Sequence, residues 1–333
     1  MNRRFYEKSL GNLLNEYARK ELPKQGVKLG SNTGSSPILQ LTNVLIQTIP
    51  RATRSVVEAS TLTVPTSVES GYSELKQAIE RGEDLTPYQG RKTNGRKYAE
   101  FTDFLKGNYG LDHFHLGGKD SRGRVGRTGL IALVYVTNDK AYIVDIVQHS
   151  KSLPDPWWTK KYLMTMHQEW PDVISPWLVP ALSLSYSPDE KAIEELSKAA
   201  VNTMFDLGDG IIYGQIGGGF VANGILRTAV NELNRLMLSI EPLHNSFVEY
   251  LRELDEIVSD FQLLTVSTDT LTYRHREMDI DFIASSVRIS NTYKKPLLFY
   301  INTNGRPEHY VTHADLHLNK ITALILAKMR VKD

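Results

Sequence analysis

The sequence predicts an α+β protein with a helical N-terminal region, a central domain built on an antiparallel β-hairpin or sheet with flanking helices, and a C-terminal helix-plus-sheet domain. Three observations predict this class. Residues 70–81 carry apolar side chains at helical spacing. Two runs rich in β-branched residues, 130–136 and 141–147, flank a short polar turn. A long helical pattern over 224–258 precedes a series of strand-like segments.

Proline- and glycine-containing stretches divide the chain into three predicted parts. Residues 1–90 form the helical N-terminal region, and 91–180 form a basic, histidine-bearing α+β domain that is the candidate catalytic region. Residues 181–333 form the C-terminal α+β domain with a long amphipathic helix. A chain of 333 residues can hold several domains, because single hydrophobic cores rarely grow past about 250–300 residues.

The N-terminal region is predicted to be helical throughout. Helical spacing covers residues 1–22, and a second helical segment over 38–60 is interrupted at Pro50. A third helix over 70–81 is followed by Gly82, the residue type that usually takes the left-handed conformation after a helix.

The central domain is predicted around a β-hairpin. Its two strands, 130–136 and 141–147, are joined by the turn residues 137–140, Thr-Asn-Asp-Lys. Both runs are almost continuously apolar, which favours central strands covered on both faces. A short helix over 159–169 is predicted to follow.

The C-terminal domain is predicted to contain helices first and strands afterwards. A helix runs from 187 to about 205. The long helical pattern is interrupted at Pro242, which indicates either a helical pair or one kinked helix. Strand-like segments follow at 261–266, 280–283, 286–289 and 297–301.

Composition excludes several classes of site. The chain contains no cysteine, so disulfides, thiolate zinc sites, iron–sulfur clusters and cysteine nucleophiles are excluded within it. The formal net charge is only +1, whereas the stretch from Arg91 to Arg127 holds nine Lys and Arg and four Asp and Glu, a local excess of +5. A polyanionic partner, if there is one, is therefore expected to bind this stretch.

We expect a cytoplasmic location with no membrane partner. No apolar run of signal-peptide length follows the first residues. No stretch approaches the roughly 18 uninterrupted apolar residues of a membrane helix.

The residue types needed for phosphodiester chemistry lie between 112 and 149. His113 and His115 are two apart, so on a strand both rings share one face. A basic loop follows, and His149 ends the second hairpin strand with the same parity as Ile143, Asp145 and Val147. One imidazole can remove a proton from an attacking hydroxyl, while another acid protonates the leaving oxygen.

The candidate site residues follow from that chemistry. Cationic side chains stabilise the charge that develops on phosphorus, and aromatic side chains can stack on bases. The catalytic candidates are His149, His113, His115 and Arg127, and the substrate-binding candidates are Lys119, Arg122, Arg124, Trp157 and Trp158. RNA supplies its own 2′-hydroxyl as nucleophile, so no metal and no cofactor is expected.

The segment 127–150, RTGLIALVYVTNDKAYIVDIVQHS, resembles the core of RelE/ParE-type toxin ribonucleases. In that family an arginine precedes a hairpin of the form LVYxVxDDxxxIIxxxxH. The resemblance covers about 70–150 and implies that Arg127 matches the family arginine and His149 a catalytic histidine. It implies a metal-independent endoribonuclease of toxin or phage-defence type, with RNA or another nucleic acid as substrate and an inhibitor or antitoxin protein as partner. Separately, the long amphipathic segment 224–258 is expected to be a core or dimerisation helix, and we expect a homo-oligomer.

Two other functions fit the residues. In the first, the protein is a non-catalytic sensor or assembly subunit that dimerises through the long helix and binds a partner through the basic loop. In the second, His113, His115 and His149 with Asp112 or Asp145 ligate zinc or manganese in a metal-dependent hydrolase.

Overall fold

The computed structural model describes residues 9–27, 35–89, 103–121, 123–149, 157–253, 261–267, 270–275, 280–286, 297–303 and 306–312. The chain divides into two compact units. One comprises Leu22–Ser35 and Leu39–Asn231, and we call it the central unit; the other comprises Met1–Glu21, Ser36–Ile38 and Glu232–Asp333. These limits differ from the predicted division at 90 and 180, because 39–89 and 181–231 belong to the same unit as the histidine-bearing segment.

The protein is α+β, as predicted. The helices in the described part are α1 (Leu10–Lys24), α2 (Pro37–Gln47), α3 (Glu69–Arg81), α4 (Phe104–Tyr109), α5 (Lys161–Glu169), α6 (Pro171–Ile174), α7 (Glu190–Lys198) and α8 (Arg227–Glu253). The strands of the central unit are β1 (Ser55–Glu58), β2 (Leu111–His115), β3 (Leu130–Val136), β4 (Lys140–Gln148), β5 (Phe205–Asp206) and β6 (Ile212–Tyr213). The strands of the other unit are β7 (Phe261–Val266), β8 (Thr270–His275), β9 (Ile280–Ser286), β10 (Leu297–Thr303) and β11 (Arg306–Thr312).

The central unit is organised by a four-stranded sheet in the order β1-β4-β3-β2. Strands β3 and β4 form the predicted antiparallel hairpin and occupy the centre of the sheet. Strand β2 pairs antiparallel with β3, and β1 pairs parallel with β4. The continuous apolar runs of β3 and β4 are explained by this central position, because both of their faces are covered.

Each face of the sheet carries its own hydrophobic core. On one face Leu111, Leu133 and Val144 pack with residues of α5, and we call this the α5 face. On the other face Phe114 and Val134 pack with residues of α3, and we call this the α3 face. Alternate side chains of one strand therefore enter different cores.

Strand β4 contains a β-bulge. Val134 of β3 pairs with Ile143, and Leu133, the residue before Val134, pairs with Asp145. Val144 therefore has no partner in β3 and is an extra residue. An extra residue reverses the alternation of the residues beyond it. Ile143 consequently lies on the α3 face, whereas Val147 packs on the α5 face.

Several predicted elements differ from the observed ones. The segment 38–60 was predicted to be helical, yet it contains helix α2 followed by strand β1, which adds a parallel edge to the sheet. Helix α7 begins after Asp189, whose side chain accepts a hydrogen bond from Ala192 N at 2.8 Å, and ends at Lys198 rather than near 205. Helix α8 continues through Pro242 as one helix.

The strands of the other unit form an antiparallel sheet in the order β11-β10-β9-β8-β7. Strand β8 in this sheet was not predicted from the sequence, whereas the pairing of β10 with β11 agrees with the hairpin turn that the sequence predicts at 302–305. Among the described helices, none combines the length and the apolar character needed to cross a membrane.

Gly71 brings helix α3 into close contact with the sheet. A Cβ atom at Gly71 would lie 1.9 Å from the carbonyl oxygen of Leu116, at the end of β2. That oxygen belongs to the backbone and cannot move aside as a flexible side chain can. The approach of α3 to the sheet therefore requires glycine at this position.

We expect Gly71→Ala to destabilise the central unit by about 1–3 kcal/mol, because the added methyl group forces α3 away from the sheet. This loss exceeds the stabilisation of about 1 kcal/mol that alanine normally gives over glycine in a helix interior. Gly118→Ala is the matched control, because nothing lies within 4 Å of a Cβ there. Urea unfolding followed by tryptophan fluorescence measures both; equal stability of Gly71→Ala and wild type would contradict the packing argument.

Candidate functional site

Strand β2 presents two histidines on the α5 face. His113 pairs with Leu133, and His115 pairs with Ile131, both of which belong to the α5-face core. Phe114, between them, enters the α3-face core. The predicted common face of the two imidazoles is therefore observed.

His149 reaches the same face from β4. Its backbone N–H donates to the carbonyl oxygen of Gly129 at 2.6 Å, which extends the hairpin by one residue pair. Because of the bulge at Val144, His149 has the orientation of Val147 and not that of Ile143. The predicted shared parity with Ile143 was wrong, since it assumed unbroken alternation along the strand.

The three imidazoles form one group, which we call the histidine cluster. The ring centroids of His115 and His149 are 5.5 Å apart, those of His113 and His149 are 6.1 Å apart, and those of His113 and His115 are 6.2 Å apart. His149 is exposed, His113 is partly buried, and His115 is only 3% exposed. The cluster thus extends from the edge of the core to solvent.

Asp103 contacts the cluster from the start of helix α4. One of its oxygens, Oδ1, accepts a hydrogen bond from Lys106 N at 3.2 Å, so Asp103 caps the helix. The other, Oδ2, lies 3.3 Å from Nδ1 of His113, an ion-pair distance without the alignment of a good hydrogen bond. Burial alone would raise the pKa of Asp103, but the facing His113 and the Lys106 N–H lower the pKa below its ordinary value.

His115 is held in its neutral form. Burial lowers its pKa to about 4, and the positive charges of His113, Arg127 and His149 act in the same direction. Its Nδ1 atom is buried and has no hydrogen-bond partner among the described residues. At pH 7 the cluster therefore contains an uncharged imidazole next to cationic or protonatable groups.

Trp157 and Arg127 border the cluster. The indole of Trp157 lies 5.5 Å from the ring of His113 and 5.4 Å from that of His149, centroid to centroid. Arg127 is exposed, close enough to influence the pKa of His115, and forms no ion pair within the described part of the chain. An aromatic platform and a cation thus accompany the three imidazoles.

The other predicted phosphate-binding residues have different positions. Lys119 lies over the ring of Tyr88, 5.2 Å from its centroid, and Tyr88 belongs to the α3-face core. Arg124 forms an ion pair with Asp120 at 2.9 Å within the loop. Arg122 lies outside the described residues. The loop is basic in sequence, but these contacts direct part of its charge away from the cluster.

Trp158 does not have the substrate-binding position predicted for it. It is only 3% exposed and belongs to the α5-face core, with its ring 4.8 Å from that of Phe104. A base cannot stack on a ring that is covered in this way. Trp158 is therefore a core residue.

Sequence reasoning missed Asp103 as a member of the site. The available signal was its position before an apolar helix start, Asp103-Phe104-Leu105, which is typical of an N-cap residue. Capping predicts the helix but not the neighbour of the second carboxylate oxygen, because that neighbour depends on how α4 packs against β2.

The geometry does not support the alternative metal site. Three imidazoles are a common ligand set for zinc. Nevertheless, in the described part of the chain no group of three His, Asp or Glu residues is arranged to hold a metal ion. Asp145, a predicted ligand, is instead paired with Lys161 at 2.6 Å.

No family model, no curated protein and no solved structure matches the chain. The geometry and chemistry of the histidine cluster are therefore the basis for the function proposed below.

The lowered pKa of His115 predicts how the stability of the central unit depends on pH. The folded protein binds this proton only near pH 4, whereas the unfolded chain binds it near 6.5. Neutral His115 therefore makes its full contribution to the free energy of unfolding above pH 6.5. As the pH falls toward 4, the free energy of unfolding decreases by up to about 3 kcal/mol.

Urea unfolding at pH 7.5 and pH 4.5 checks this prediction. All four tryptophans lie between 157 and 177, within the central unit, so tryptophan fluorescence reports on it. The loss on acidification should be smaller in His115→Gln than in wild type, and unchanged in the control His167→Gln. The same pH dependence in His115→Gln and wild type would contradict the prediction.

Proposed function

We propose that the protein is a metal-independent endoribonuclease of toxin or phage-defence type and that the histidine cluster is its active site. The observation that carries the proposal is the convergence of three imidazoles within 5.5–6.2 Å, one of them buried and neutral. Acid–base cleavage of RNA needs a proton acceptor and a proton donor on either side of one phosphate.

His115 is the proposed proton acceptor. Only 3% of its surface is exposed, so the 2′-hydroxyl would have to approach it from the solvent side of the cluster, beside the exposed His149. His115 is uncharged at pH 7, so it can take a proton without first losing one. Part of the cause of its low pKa is the positive charge around it, and a bound phosphodiester would offset that charge. Substrate binding would therefore raise the pKa of His115 toward the neutral range, where an imidazole base is most effective.

His149 is the proposed proton donor, and two other groups position the phosphate. His149 is exposed at the end of β4, where the leaving oxygen can reach it. His113, beside Asp103, would bind a phosphoryl oxygen. Arg127 would supply a positive charge to the same phosphoryl group.

The reaction balances with these groups alone. His115 takes the proton of the ribose 2′-hydroxyl as the 2′-oxygen forms a bond to phosphorus. The bond between phosphorus and the 5′-oxygen breaks, and that oxygen takes a proton from His149. The products are a 2′,3′-cyclic phosphate and a free 5′-hydroxyl, with no metal, oxidant or cofactor consumed.

This function agrees with a cytoplasmic location, where RNA is available, and with the absence of cysteine from the chain. The relation to RelE/ParE-type toxins, the inhibitor or antitoxin partner and the homo-oligomeric state remain parts of the proposal.

Cleavage of a labelled RNA in EDTA tests the proposal. His149→Ala and His115→Gln should each lower the cleavage rate by about 10²–10⁴-fold, because each removes one proton-transfer step. The control His167→Gln should retain the wild-type rate, since His167 is hydrogen-bonded to Tyr213 and lies outside the cluster. Equal cleavage by His149→Ala and wild type would discard the proposal.

The chemistry of the substrate provides a second test. RNA with a single 2′-deoxy nucleotide on the 5′ side of the scissile phosphate should resist cleavage at that bond, because it lacks the nucleophile. The product should carry a 2′,3′-cyclic phosphate, detectable by mass spectrometry. Cleavage of DNA, or loss of activity in EDTA, would instead indicate a metal-dependent enzyme.

A further inference from the structure

The cations described near the histidine cluster offer few phosphate contacts. Lys106 is paired with Asp112 at 2.6 Å, Arg124 is paired with Asp120, and Lys119 lies over Tyr88. Arg127 also lies in the basic loop and lowers the pKa of His115. Within the described residues it has no ion-pair partner. Proteins that bind duplexes mainly through phosphates use many such cations, because each neutralised phosphate adds to affinity.

A partly exposed aromatic ring lies next to the same phosphate position. The indole of Trp157 lies about equally far from His113 and His149, at 5.5 and 5.4 Å between centroids. Trp157 is partly buried and packs against the α5-face core, which positions its ring at the border of the cluster. A base stacked on Trp157 would bring the adjoining phosphate to the imidazoles.

Stacking on Trp157 requires an unpaired base. In an RNA duplex the base faces are covered by neighbouring bases, and the deep major groove is too narrow for side chains to reach them. Attack by the 2′-hydroxyl also requires in-line alignment with the leaving oxygen, which a regular helix does not allow. Both requirements are met by a flexible single strand.

We propose that the site takes single-stranded RNA and that Trp157 stacks on the base next to the scissile phosphate, an inference that rests on the proposed function. Base stacking then supplies more of the specificity for single strands than charge does. Arg127 and the histidines fix the phosphate, and the indole fixes the base beside it.

Binding of a short 2′-O-methyl oligonucleotide tests this inference, because that strand cannot be cleaved. Trp157→Ala should weaken its binding roughly 5- to 150-fold, the loss expected for one base–aromatic stack. Trp157→Phe should retain part of the affinity. Tyr186→Ala is the matched control, since Tyr186 is an aromatic residue 64% exposed and has no contact with the cluster among those described.

Salt dependence separates stacking from charge. Arg127→Ala should make the slope of log affinity against log salt shallower by about 0.7, the value for one phosphate contact on a single strand. Trp157→Ala should leave that slope unchanged while lowering the affinity. A duplex of the same sequence should bind at least tenfold more weakly than the single strand and should be insensitive to Trp157→Ala.

The outcomes distinguish this inference from the proposed function. Wild-type binding by Trp157→Ala, or a duplex that binds as tightly as the single strand, would overturn the inference even if RNA is cleaved. Tight, Trp157-dependent binding of the single strand without cleavage of unmodified RNA would overturn the proposed function and leave the binding site in place.

Discussion

The β-bulge in strand β4 is the constraint on which the site depends. Val144 is an extra residue opposite β3, so the side chains that follow it exchange faces. Without it, His149 would share the orientation of Ile143 and lie on the α3 face. With it, His149 joins His113 and His115 on the α5 face, at the exposed end of the sheet. One inserted residue thereby determines whether three imidazoles meet.

The electrostatics of the cluster follow from its position at the border of a core. Burial keeps His115 neutral, and nearby positive groups reinforce this effect. Asp103 counters part of that charge beside His113. Histidines of one cluster thus have different surroundings, because His115 faces the core and His113 faces a carboxylate. Such differences within a small group are typical of acid–base sites.

Much of the fold was predictable because it depends on local patterns. The apolar runs of β3 and β4 predicted the hairpin, and Gly82 predicted the end of α3, where it takes the left-handed conformation. Strand β1 was not predictable, since a four-residue segment becomes a strand only when a partner accepts its backbone hydrogen bonds. The exchange of His149 between faces was not predictable either, because no local signal marks the bulge at Val144.

By itself the sequence determined the α+β class, the central hairpin, the common face of His113 and His115, and the excess of positive charge around them. These follow from alternation along a strand and from composition, which need no distant contact. Only the tertiary structure decided that His149 and Asp103 reach those histidines, that Trp158 is buried, and that Lys119 contacts Tyr88 instead. Each of these depends on how separate elements pack against one another or on strand register, and residue spacing alone encodes neither.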